Sequence, residues 1–149
     1  MISMISNKNG FTLIEVLATL FLFSMITLIV VSPPSNMYYR LLLKSTAVEI
    51  KEALYLSQQL SLDECKSYCV ELIGGNKFRI REHLVGGKVV LIQEFNKGIS
   101  VSEESDGRIS YTRAGETNYG KFVLVNEKGQ KIDIDALIGT GKVRISDIY

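Results

Sequence analysis

The chain has 149 residues, with 17 Lys plus Arg against 16 Asp plus Glu and a formal net charge of +1. That balance argues against a strongly nucleic-acid-seeking surface. The length suits one membrane helix and one small globular core and excludes two sizeable cores, and no low-complexity tract or internal repeat interrupts it.

A polar leader, MISMISNKN, ends at Gly10, and residues 11–32 form an apolar run of 22. At about 1.5 Å per residue such a run spans roughly 33 Å, close to a hydrocarbon core, so it reads as a transmembrane helix. A cleaved secretory signal has the opposite order, with its small-residue site after an apolar core of about 7 to 15 residues. Here Gly10 stands before the run, and Pro33 and Pro34 stand after it. Lys8 lies on the leader side and Arg40 and Lys44 on the other, so charge orients the helix only weakly.

Glu15 is out of place in this run. An ionised carboxylate at a helix centre costs about 2.5 to 3.5 kcal/mol on insertion scales, and less near an interface. Two readings offset the cost. The carboxylate snorkels to the headgroups, or it pairs with a free amine on a neighbouring helix, which Phe11 would carry if the chain were cut after Gly10.

Beyond the prolines a helical pattern resumes. Leu43, Ala47, Ile50, Leu54, Ser57 and Ser61 recur at spacings of three and four, with Ala53 and Leu60 beside them, while Arg40, Lys44, Glu49, Glu52 and Gln58 fall largely off the stripe. An amphipathic helix is expected to about residue 62. Pro33 and Pro34 take the donors that the carbonyls of Ile29 and Val30 would use, so the chain bends or breaks there, or simply stops and restarts through a linker at SPPSN.

From Tyr68 the period becomes two. YCVELI, KFRIRE, KVVLIQEF, GISVS, RISYTR, KFVLVNE, KIDIDAL and KVRIS have strand length and are separated by glycine turns. They imply an antiparallel meander or two small sheets. The expected class is α+β: a long N-terminal helix, membrane-spanning in its first half and bent near the Pro-Pro, packed on an antiparallel β ectodomain. The organisation is a leader at 1–10, a membrane and assembly helix at 11–32, an ectodomain helix at 33–62 and a β globular domain at 63–149.

Chemistry-bearing residues are sparse. Cys65 and Cys69 are the only thiols. A disulfide between them needs Lys66, Ser67 and Tyr68 to turn, because four extended residues span about 13 Å against a limit near 7 Å; two idle or buried thiols are the alternative. Two sulfur ligands are too few for zinc, so no metal and no cofactor is expected. His83 is the sole histidine, no nucleophile or phosphate-loop motif is present, and Asp133 with Asp135 read as the solvated face of a strand, so the chain is not expected to be an enzyme. Lys77, Arg79 and Arg81 share one strand face at about 6.5 to 7 Å spacing, near that of phosphates on a single strand, with Lys142 and Arg144 as a second row. They read either as a DNA contact or as a wet face.

The stretch GFTLIEVL resembles the processing and assembly motif of type IV pilins and pseudopilins. The resemblance implies that a prepilin peptidase cuts between Gly10 and Phe11 and methylates the new amine of Phe11, and that Glu15 recruits the subunit to a filament. GISVSEESDGRISYTRAGETNYGKFVLVNEKGQKIDIDALIGTGKVRIS resembles the C-terminal half of the H-type minor pseudopilins, and more closely that of the ComGD type from Gram-positive competence systems. CKSYC belongs to no pattern of that family. The implied function is a structural subunit of the competence pseudopilus, which draws DNA through the wall in transformation. A type II secretion or type IV pilus subunit, or a single-pass surface binding module with an uncut anchor, are the alternatives. The implied partners are the prepilin peptidase, other major and minor pseudopilins, the inner assembly platform, the membrane and, indirectly, DNA. The implied location is the cell membrane with the C-terminal domain outside, then a surface filament.

Overall fold

The computed structural model describes residues 12–31, 35–74 and 76–149, the side chains of 28–31 and 35 excepted. Helix α1 covers Leu13–Val31 and helix α2 covers Ser35–Asp63. The chain divides after residue 34 into two units. Gly10, Phe11 and the expected bend at Pro33 and Pro34 lie outside the described residues.

In the second unit, α2 contains neither proline nor glycine over 29 residues, and it turns one face inward. Leu43, Ala47, Ile50 and Leu54 are fully buried on that face, as are the small Ser57 and Ser61. Full burial of each leucine or isoleucine contributes about 1.5 to 3 kcal/mol. The helix ends at a residue with left-handed backbone, Cys65 at φ 52°, which reverses the chain into the first strand.

Eight strands follow: β1 Tyr68–Ile73, β2 Lys77–Glu82, β3 Val89–Glu94, β4 Ile99–Val101, β5 Arg108–Tyr111, β6 Gly120–Asn126, β7 Lys131–Ala136 and β8 Val143–Ile145. They form two separate four-stranded antiparallel sheets, ordered β3-β2-β1-β5 and β4-β6-β7-β8. Of the two expected topologies, the meander and the pair of small sheets, the second is present. Strand β4 passes to the second sheet and β5 returns to the first, where Val70 sits opposite Ile109.

Both sheets turn their alternating apolar residues toward α2. Tyr68, Val70, Phe78, Ile80, Ile109 and Tyr111 come from the first, and Ile99, Phe122, Leu124, Ile132, Ile134, Ala136 and Val143 from the second. The two sheets approach closely at Gly120, where an added Cβ would lie 2.6 Å from Ile109 Cγ1. Only a residue without that carbon lets the second sheet start so near the first.

Candidate functional site

Thr12 stands just before α1, and Glu15 lies in its first turn. The amide and the hydroxyl of Thr12 both donate to Glu15 Oε2 at 2.9 Å, and the Glu15 amide donates back to Thr12 Oγ1 at 3.4 Å. This reciprocal pair is a capping box, which satisfies helix-start donors that have no intrahelical acceptor. Its T-x-x-E signature stands in the sequence, where attention to the cost of the carboxylate alone passes over it. Glu15 Oε1 has no partner among the described residues.

The rest of α1 shows the same internal economy. Thr19 donates to the carbonyl of Val16, Ser24 to that of Phe21 and Thr27 to that of Phe23, at 2.8 to 3.0 Å. Its large apolar side chains lie open on every side, from Leu13 at 79% exposure through Phe21 at 60% to Ile26 at 58%. A helix that is apolar all round belongs in hydrocarbon or among other helices. Among the described residues no helix is long and apolar enough to cross a membrane; the helical backbone of α1 itself runs for 19 residues.

On the first sheet, the face turned away from α2 carries Lys77, Arg79 and Arg81, the row expected from the alternation of β2. The register sets Glu71 of β1 opposite Arg79 and also opposite Arg108 of β5. Arg79 donates to Glu71 Oε2 from Nε at 2.8 Å and from Nη2 at 2.7 Å, and Arg81 Nη2 donates to Oε1 at 2.7 Å. Lys77 pairs instead with Glu94 of β3. The Arg81 hydrogen bond, joined by that of Arg79, outweighs burial and brings the Glu71 carboxyl down to about 2. The row is therefore a set of ion pairs, with Arg79 and Arg81 held by the buried Glu71 carboxylate and Lys77 by the exposed Glu94. Glu71 and Arg108 were not legible as its members, because the contact rests on which strands pair.

Cys65 and Cys69 are both free thiols. Cys65 is exposed at the turn after α2, whereas Cys69 is buried within β1 beneath the arginine side chains. Burial pushes the Cys69 thiol up to about 11.

Asp133 and Asp135 stand on β7. Asp133 pairs with Lys121 at 2.6 Å and accepts from the Tyr149 hydroxyl at 2.8 Å; Asp135 accepts from the Tyr119 hydroxyl at 3.2 Å. Lys142 and Arg144 are exposed on either side of buried Val143. Among the described residues no group of three or more His, Cys, Asp or Glu could hold a metal ion.

Residues 5–31 match the family described as the prokaryotic N-terminal methylation motif. The match spans Gly10, Phe11 and Glu15. A comparison with curated proteins gave no match. Among solved structures, the minor pseudopilin EpsH from the type 2 secretion system of Vibrio cholerae is similar with a TM-score of 0.57 and 10% identity, over 70% of this chain and 95% of that one. The type IV minor pilin FimU of Pseudomonas aeruginosa is similar with a TM-score of 0.58 and 12% identity, over 70% of this chain and 88% of that one. At such low identity the likeness is one of fold: a helix laid on antiparallel sheets.

Proposed function

We propose that this chain is a minor pseudopilin, a non-enzymatic subunit of a type IV pilus-like filament. Prepilin peptidase cuts it between Gly10 and Phe11 and methylates Phe11. Glu15 then brings the subunit into the filament by pairing with the N-terminal amine of a neighbour. The observation that carries this reading is the methylation-motif match over residues 5–31, coinciding with the apolar helix α1. Before assembly, residues 11–32 span the cell membrane, with the C-terminal domain outside. After assembly the same surface packs on other pilins.

The machine we favour is the competence pseudopilus, on the resemblance of residues 98–146 to the ComGD type. The fold likeness to EpsH and FimU supports a second reading, a subunit of a type II secretion or type IV pilus system. Deleting the gene and scoring transformation, secretion and pilus-dependent motility in the same strain separates the machines. The processing step is tested by the intact mass and N-terminal sequence of the native protein. A mature chain beginning at a methylated Phe11 supports the reading, whereas an uncut N-terminus returns the protein to a plain single-pass surface module.

A further inference from the structure

Beside the Glu71 hub the first sheet opens into a cleft of about 250 Å³ lined by Arg81, His83, Leu84, Val85 and Arg108. Glu71 is the single carboxylate within 4 Å of three guanidinium groups among the described residues. It accepts hydrogen bonds from Arg79 and Arg81 at 2.7 to 2.8 Å, while Arg108 Nη1 remains 3.8 Å away and the Arg108 side chain is 48% exposed. One negative charge thus faces three positive ones. Arg108 is the member of the three whose donors are unused among the described residues, and it faces the cleft.

The walls are held in place before any ligand arrives. Arg81 Nη1 donates to the carbonyl of Leu84 at 2.8 Å, the His83 amide donates to the carbonyl of Ser67 at 2.7 Å, and the Gly87 amide donates to that of Leu84 at 3.0 Å. Arg81 Nε is buried without a partner, which adds an uncompensated donor dipole behind the cleft. These bonds fix the loop backbone and the Arg81 guanidinium, and leave the Arg108 side chain free to turn toward a ligand.

We propose that this cleft binds a phosphoryl group, taken by the guanidinium of Arg108 and the ring of His83 in the field of Arg81. The guanidinium fork fits two oxygens of a tetrahedral oxyanion. A phosphoryl group of charge about −1.5 to −2 matches the local surplus of two positive charges better than a carboxylate of charge −1 does. Glu71 stays ionised at neutral pH, so the surplus is constant there. Leu84 and Val85, both exposed, form the apolar rim of the cleft. The proposal does not rest on the filament reading, since every residue in it belongs to the unit after residue 34.

The test uses the full chain in a maltoside detergent, which carries no phosphate of its own. Inorganic phosphate, acetate and a short single-stranded oligonucleotide are titrated separately by calorimetry. Phosphate should bind about tenfold more tightly than acetate, and Arg108→Gln should weaken it about tenfold or more. His83→Ala, which adds no charge to compete for the partners of Glu71, should weaken it severalfold, whereas Arg40→Gln on α2 should leave it within twofold. Phosphate binding weakened in both cleft variants identifies a free phosphoryl ligand. Oligonucleotide binding alone, weakened in both, identifies a polymer-borne one. Binding of neither, or binding retained in both cleft variants while circular dichroism shows them folded, overturns the proposal.

Discussion

Gln58 of α2 donates from Nε2 to the carbonyl of Gly115 at 2.8 Å, and the same nitrogen reaches the carbonyl of Thr140 at 3.2 Å. One helix side chain thus ties the loop after β5, in the first sheet, to the loop after β7, in the second. Gln58→Ala leaves both carbonyls without this donor and should lower stability by about 1 to 3 kcal/mol. Gly141→Ala should act on the same contact: at φ 63° a Cβ there would lie 2.3 Å from Gln58 Nε2. Denaturant midpoints of the two single variants and the double variant check this, and losses that add fully would show that the two sites are independent.

The Glu71 cluster predicts an acid limit. The carboxyl drops from an ordinary 4.5 to about 2 on folding. A depressed carboxylate contributes stability that is fully present above its unfolded pKa and is lost as pH falls through the folded one. The window is therefore about pH 5 to 2, and the contribution is at most about 3 kcal/mol. Glu71→Gln should unfold more easily at pH 7, and its deficit against the wild type should shrink on acidification. Urea midpoints at pH 7, 4 and 2.5 read this directly; a deficit constant across the three would remove Glu71 as its source.

Thr12 and Glu15 share one cap, so they should part company under mutation. Thr12→Val keeps the side-chain shape and removes the hydroxyl, which should loosen the first turn of α1 by about 1 kcal/mol and speed exchange of its amides. Glu15→Val removes an insertion cost along with the cap. It should enter the membrane at least as well as the wild type, yet be missing from sheared filaments. Equal amounts of the valine variant in the filament fraction would return Glu15 to a snorkelling carboxylate.

Cleavage after Gly10, as proposed, predicts a mass. Replacing Gly10 by a bulky residue such as Leu should leave a chain heavier by residues 1–10, because only there does a small residue meet the start of the apolar run. An unchanged mature mass in that variant would place the cut elsewhere.

The periodicities carried most of the fold. The spacing of Leu43, Ala47, Ile50, Leu54, Ser57 and Ser61 foretold which face of α2 is buried, and each of the eight alternating segments became a strand. Alternation says which side of a strand is wet but not which strand lies beside it. For that reason the exchange of β4 and β5 between sheets, and with it the approach of Arg108 to Glu71, had to come from the structure. From sequence Gln58 is only a polar residue off the stripe, since its acceptors lie 57 and 82 positions away. At the other end, T-x-x-E was legible but eclipsed by the question of charge in an apolar run.

The two sheets share no ladder, and α2 lies across both. The domain is therefore mechanically anisotropic. Tension applied at residue 35 enters along the axis of α2 and loads both sheets in shear at once, so many side-chain contacts must slip together. Tension applied at Tyr149 meets the two backbone hydrogen bonds to Lys131, the Tyr149 hydroxyl bond to Asp133, the Ser146 amide bond to Asp133 and then the three-residue edge strand β8, which open one after another. The domain pulled from residue 35 would resist far larger forces than the same domain pulled by its tail.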